Sequence, residues 1–230
     1  MLTIILHHSA LELITNSICN VSHNAIKNDS MRRSKKPEEI LLDISIHQSA
    51  IFPDKLHFAG RPDLVHIFLL QYHFLMDLLE TKIKSKIQLF VHTRDNQYFI
   101  VPPTWRVPVH FIRFRGLMEK FLLEGKINLT NESSLKLERG SIKDLIDLMK
   151  PHDIINLVET GKSLESVAVT MRELIEDEKK TVLLIGGYQK GEYNLSEKLQ
   201  TKITEIRLLS KPTTAWMVLN LLLLDLVEKK

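Results

Sequence analysis

Apolar and polar positions divide this chain into two differently organised halves. In the first half, "LTIIL" near the start reads as a strand, and a short helix is predicted around Ala10 to Ile14. Residues 16–39 are polar, with basic residues at Arg32, Arg33, Lys35 and Lys36, and predict a mobile connection. "ILLDISIH", residues 40–47, is strand-like. After "GRPD" comes the apolar run "LVHIFLL", which suits a buried strand and a helix start equally, and periodicity does not decide. "KIQLFVHT" and "NQYFIVP" predict two strands joined as a hairpin through Arg94, Asp95 and Asn96. A helix is predicted from near Pro108, a residue suited to a first helical turn. Phe111, Phe114, Met118 and Phe121 follow at helical spacing and should bury together. Arg113 then falls opposite that stripe, and Arg115 on its flank, where its stem can snorkel.

The second half alternates more plainly. "SIKDLIDLMK" predicts a helix and "DIINLVE" a strand; residues 164–178 predict a helix and "TVLLIGG" a strand; "KITEIRLL" predicts a strand, and a helix closes the chain. This succession argues for an α/β fold, a mostly parallel sheet flanked by helices. The closing helix is apolar nearly all round, from Trp216 through Leu219 and Leu221 to Leu226. One side suits its own sheet and the other a second subunit.

Charge changes this picture only locally. Net charge is +3 over 230 residues, so no polyelectrolyte partner is demanded. Residues 1–120 nevertheless carry 15 Lys and Arg against 11 Asp and Glu, whereas residues 121–230 carry 16 against 17. A polyanion should meet the first part. No acid occurs between Asp95 and Glu119, the stretch that holds Arg106, His110, Arg113 and Arg115. These could track a phosphate backbone, with Phe111 or Trp105 stacking on a base. An ordinary amphipathic helix with a basic outer face accounts for the same pattern. Cys19 is the only cysteine, which excludes an internal disulfide and fits a reducing compartment. "MLTIIL" lacks the basic leader of a signal peptide, and the closing apolar run is interrupted by Asn220 and Asp225, too short to span a bilayer.

Three segments are candidates for ligand chemistry. "ETGKS" (Glu159 to Ser163), "IGGYQKGEY" (Ile185 to Tyr193) and "LLSKPTTAW" (Leu208 to Trp216) each follow a predicted strand. Ligands collect beyond the carboxyl ends of parallel strands, and glycine admits close backbone approach. Each segment alone is equally a turn; three together suit a pocket. Neither the dinucleotide nor the Walker fingerprint is met, and no G-x-S-x-G motif occurs. In Arg61-Pro62-Asp63 the acid can hold the guanidinium in one orientation for phosphate. The alternative is a surface turn with a screened ion pair worth about 0–1 kcal/mol. His7 and His8 on one strand face opposite ways and cannot share a metal, and no metal site is predicted.

"GRPDLVHIFLL", "VHTRDNQYFIVPPTWRVPVHFIRFRGLMEK", "LLIGGYQKGEY" and "LLSKPTTAWMV" occur in an order that resembles the ribosome-biogenesis pseudouridine N1-methyltransferases, of the SPOUT class. The resemblance spans most of the chain, is weakest over residues 15–50, and looks archaeal in its compact length. It implies one SPOUT-like domain over 1–230, with family-specific insertions at about 20–38 and 86–123. It also implies a carboxy-terminal trefoil knot, a cytoplasmic homodimer, S-adenosylmethionine as cofactor, and a pseudouridine of small-subunit ribosomal RNA as substrate. By motif, the cofactor would meet Thr160, Gly186, Gly191 and the segment Leu208, Leu209, Ser210, Lys211, Pro212, Thr213, with Ala215 admitting it. RNA would meet Arg61, Arg106 and Arg113, with Asp63 orienting Arg61. The family pattern has arginine where this chain has Val109; His110 or Arg115 would supply part of that charge. The competing expectation is a non-catalytic RNA-binding assembly factor on the same fold.

Overall fold

A computed structural model describes the chain except residues 130–132, 164–170, 177–178, 192, 194, 196–198, 200–201 and 228–230. Its first part runs β1 (Leu2–Ser9), α1 (Asn24–Arg33), α2 (Ile44–His47), α3 (Pro62–Leu78), α4 (Thr81–Lys84), β2 (Ile87–Thr93) and β3 (Gln97–Ile100). Then come α5 (Phe111–Glu124), β4 (Lys126–Asn128), β5 (Ser134–Lys136), β6 (Glu138–Arg139), α6 (Ile142–Met149) and β7 (Asp153–Ser163). A short helix (Met171–Glu176), β8 (Thr181–Gly186), β9 (Thr204–Arg207) and the final helix (Ala215–Leu224) close the chain.

Among the described residues the main sheet has the order β6-β3-β2-β1-β8-β7-β9. The five strands from β2 to β9 in that order run parallel, and β3 and β6 extend one edge antiparallel. β1 lies in the middle because every one of its residues is buried, as a parallel strand covered on both faces requires. Its alternate residues serve two cores. Leu2, Ile4 and Leu6 pack with α3, α5 and the final helix, while Ile5 packs with Ile142, Leu145 and Ile146 of α6. Of the predicted stripe on α5, Phe114, Met118 and Phe121 are fully buried, each worth roughly 1.5–3 kcal/mol over an exposed side chain, while Phe111 is only half-buried. The "LVHIFLL" ambiguity resolves as helix, since Pro62 opens α3. The path of the expected knot runs partly through residues outside the described ones, as does most of the helix expected over 164–178.

Three predictions fail in the first sixty residues, each for a local reason. Residues 10–14 form no helix; Leu13 makes an isolated bridge to Leu41, and Ala10, Leu11 and Ile14 are buried. "ILLDISIH" is not a strand, because the Asp43 side chain accepts from Ser45 N and caps α2. The basic connection is ordered, with residues 24–33 forming α1, and three of its basic residues are paired within the protein. Arg32 pairs with Asp29 at 2.5 Å, while Arg33 and Lys35 both reach Glu119 of α5 at 2.6 Å.

Candidate active site

The middle of β7 and the carboxyl ends of β8 and β9 open on one cleft of about 510 Å³, within the roughly 300–1,000 Å³ of small-molecule sites. Leu157, Val158 and Glu159 form one wall, Gly186 and Tyr188 to Gly191 a second, and Ile206 to Leu209 with Lys211 to Trp216 a third. Arg61 and Leu64, at the start of α3, close the remaining side. Of the residues expected at a cofactor, Gly186, Gly191, Leu208, Leu209, Lys211, Pro212 and Thr213 line this cleft, and Ala215 does too. Thr160 and Ser210 stand outside the lining.

The place of Thr160 has a physical cause. "ETGKS" is not a loop after β7 but its continuation, for β7 runs to Ser163. Both Leu157 and Lys162 pair with Ile206, so β7 bulges between them and rejoins β9. Gly161 permits this: a Cβ there would lie 2.7 Å from the backbone N and C of Ile206. Its missing side chain serves strand packing, and the cleft takes only Glu159 from the segment.

At the mouth, Arg61 donates from Nε to Asp63 Oδ1 and from Nη2 to Asp63 Oδ2, each at 2.8 Å. The guanidinium is therefore held in one plane, and those hydrogen bonds push its pKa upward. Both carboxylate oxygens of Asp63 are engaged in this pairing.

The other basic residues separate into distinct places. His66 Nε2 donates to Pro108 O at 2.7 Å and ties the start of α5 to α3. His110 is the N-cap residue of α5, with exposed Val109 before it and exposed Arg113 one turn on. Arg106 is 90% exposed and sits 3.6 Å from Asp77, roughly 24 Å along α3 from Arg61 at about 1.5 Å per residue. Arg115 turns inward, only 12% exposed, toward Asp43 at 4.0 Å. Trp105 is buried, edge-on to His73, and so presents no face to a base. Phe111 is half-buried beside His66. Sequence reasoning did not single out Arg207, Leu64 or Val218 in the cleft wall. Their signals were a cation at a strand end, a residue one turn after Arg61, and the first turn of an apolar helix.

The expected opposition of His7 and His8 is also overturned. His8 has φ 48°, in the left-handed region, and the β1–β2 register shifts beside it. The two rings meet, Nδ1 to Nδ1 at 2.9 Å, and His8 stacks on Tyr193 at 3.9 Å. Burial, then the neighbouring His8 and His92, holds His7 well below the usual imidazole range. Among the described residues no group of three or more His, Cys, Asp or Glu could hold a metal ion. No helix among them is long and apolar enough to cross a membrane.

Behind the Arg61 turn, burial pushes the Glu12 carboxyl up to about 8, against the hydrogen bond from Gly60 N. The folded state thus keeps a proton that the unfolded chain releases from about pH 4.5 upward. Stability from this group is full below that value and is lost as pH rises through about 8. Glu12→Gln should therefore flatten the decline of the unfolding free energy between pH 5 and 8, on the order of 4 kcal/mol at most. Parallel wild-type and variant slopes in urea titrations would contradict it.

The family model described as EMG1/NEP1 methyltransferase matches residues 4–226. The chain belongs to that family. A relative from Thermococcus onnurineus, ribosomal RNA small subunit methyltransferase Nep1, is 34% identical over 228 residues, covering 98% of this chain and 97% of that protein. The Nep1 of Pyrococcus furiosus is 33% identical, covering 95% and 93%. The crystal structure of Archaeoglobus fulgidus Nep1 bound to S-adenosylhomocysteine matches with a TM-score of 0.79 at 26% identity, covering 97% of this chain and 96% of that one. In family terms, the cleft joins the loops after β8 and β9 to the "GRPD" arginine, all within the matched span.

Proposed function

We propose that this family member is an S-adenosylmethionine-dependent methyltransferase acting on N1 of a pseudouridine in small-subunit ribosomal RNA, in the cytoplasm. The observation that carries the reading is the convergence of a β7 wall, the two segments after β8 and β9, and an immobilised arginine on one cleft. Relatives named as small-subunit rRNA methyltransferases and a homologue holding S-adenosylhomocysteine support it.

The wall suits such a cofactor: it combines apolar Leu157, Ile185 and Ile206 for an aromatic base with glycine-loop backbone at Gly186 and Gly191. Lys211 to Thr213 would complete the hold. When bound, the cofactor supplies an electrophilic sulfonium methyl, and transfer to N1 leaves S-adenosylhomocysteine and one proton. The chain contributes position. Arg61 holds a phosphate flanking a base turned out of its stack, and Arg113 extends that grip from α5. Asp63 acts as the orienter of Arg61, because its two oxygens are engaged there. Arg106 would reach a more distant phosphate, whereas Arg115 is left out of the contact set by its burial against Asp43. Val109, 82% exposed, brings no charge to this surface, so His110 is the nearest replacement.

Calorimetry with S-adenosylmethionine, then methyl transfer to a hairpin containing pseudouridine, tests the reading. Binding followed by N1 methylation is expected. RNA binding without cofactor binding would favour the non-catalytic assembly factor.

The reading includes a homodimer. On the final helix Met217, Leu221 and Leu224 are 44–49% exposed, at the spacing of one face, while Leu219, Leu222 and Leu223 are buried. Phe74 and Leu78 of α3, which contacts that helix, are also exposed. A second copy would cover this apolar surface. Leu221→Glu is expected to convert a dimer to monomer in sedimentation equilibrium; a wild-type protein already monomeric at micromolar concentration would rule the dimer out.

A further inference from the structure

The proposed reaction leaves one buried carboxyl without a task. Glu12, just beyond β1, is 1% exposed, and its Oε1 accepts from Gly60 N at 2.6 Å. Ala10 O, two residues earlier, accepts from Arg61 N at 3.1 Å. Gly60 itself has φ +66°, and a Cβ there would come within 3.2 Å of Ile44 N and Ile51 Cδ1. The turn therefore tolerates no side chain of its own and is held from outside. The main-chain carbonyls on either side of that bond, Glu12 O and Gly60 O, accept from Leu42 N and Ile44 N and tie the turn to the segment leading into α2.

We propose that Glu12 is a positioning residue for Arg61: its carboxyl fixes the peptide before Arg61, so that the guanidinium locked to Asp63 projects at the cleft mouth. The kinetic part of this inference rests on the methyltransferase reading above; the structural part does not. A misplacement of about 1 Å in a substrate clamp is enough to cost on the order of 10²-fold in rate. Because burial keeps Glu12 protonated to about pH 8, glutamine is its near-isostere and preserves the acceptor for Gly60 N.

The test compares full-length wild type, Glu12→Gln and Glu12→Ala. Amide hydrogen exchange over residues 59–64 is read in the protein alone. S-adenosylhomocysteine affinity and kcat/KM for a pseudouridine-containing hairpin are read separately. Glu12→Ala should raise exchange about tenfold and lower kcat/KM roughly 10- to 100-fold, with S-adenosylhomocysteine affinity unchanged. Glu12→Gln should restore both to within about threefold at pH 7. Combining Glu12→Ala with Arg61→Ala should cost no more than Arg61→Ala alone, since residues acting through one another are not additive. Equal losses in the Gln and Ala variants, or additive losses in the double variant, would overturn the proposal. Should Glu12→Ala not fold, the Gly60 amide of the wild type decides: slow exchange is expected, and fast exchange overturns the role. A wild type that neither binds S-adenosylhomocysteine nor methylates RNA would refute the methyltransferase reading, while the exchange measurements would still judge Glu12.

Discussion

Arg61→Ala is expected to lower kcat/KM for the RNA substrate by on the order of 10²-fold, about 3 kcal/mol, while S-adenosylmethionine affinity stays within twofold. The size follows from what the side chain is. Two of its N–H groups are committed to Asp63, which fixes the plane of the guanidinium and leaves the others for a phosphate. A preoriented charge-assisted contact to phosphate is worth more than a mobile surface lysine, because little side-chain freedom remains to be lost on binding. The truncation also strands Asp63, whose negative charge would then repel RNA at the same spot. Asp63→Asn should give a smaller loss, since the arginine stays but its plane is released. Cofactor affinity is the discriminating measurement. Arg61 lines the cleft from the start of α3, with two of its N–H groups already committed to Asp63. If Arg61→Ala abolished S-adenosylmethionine binding in calorimetry, the residue would belong to the cofactor and the division of roles would be wrong.

The parts of this site that were legible in the sequence are those fixed by local pattern. The apolar run at 181–187 is a strand because only a covered sheet accommodates it, the alternating run at 202–209 supplies the edge strand β9 with Ile206 buried, and the loops after them meet in the cleft. The α5 stripe was legible for the same reason, at helical period. What local pattern missed was set by partners distant in sequence. Residues 16–39 look like a solvated connection because their lysines and arginines are conspicuous, yet Arg33 and Lys35 are neutralised by Glu119, more than eighty positions away. Nothing in the local pattern marks Glu12 or Glu119 as interior, yet both are buried. "ILLDISIH" has strand composition, but one capping aspartate turns it into a helix. Gly161 reads as a ligand-loop glycine, whereas its missing side chain serves the approach of β7 to β9. Strand-end position brought the segments after β8 and β9 together as one pocket, and the family resemblance added the cofactor that such a pocket would hold.

Glu119→Ala should destabilise the fold by about 3–5 kcal/mol, the scale expected when one partner of a buried ionic cluster is removed. Glu119 is 0% exposed and accepts from Arg33 Nη2 and Lys35 Nζ through Oε2, and from Leu41 N through Oε1. Burial alone would raise its pKa, but these hydrogen bonds outweigh it and hold the carboxyl below the usual glutamate value. Its stabilising contribution is therefore present above the unfolded value near 4.5 and is lost as pH falls through the lower folded value. Glu119→Gln keeps the acceptor for Leu41 N but no charge for Arg33, so it should lose less than alanine at pH 7 and approach wild type in acid. At roughly 2–4 °C per kcal/mol for a chain of this size, the alanine variant should melt about 10 °C lower. Urea unfolding at pH 7, with unchanged m-value, is the cleaner measure, and a loss under about 1 kcal/mol would show the cluster to be surface-like. The consequence reaches the active site through the backbone. Leu41 is held by Glu119 and Leu42 by the carbonyl of Glu12, while Ile44 holds the carbonyl of Gly60. Loosening α5 from this segment removes the support of the turn that carries Arg61, so partial unfolding of residues 10–60, beyond β1, should silence methyl transfer before the sheet or the cofactor cleft is lost.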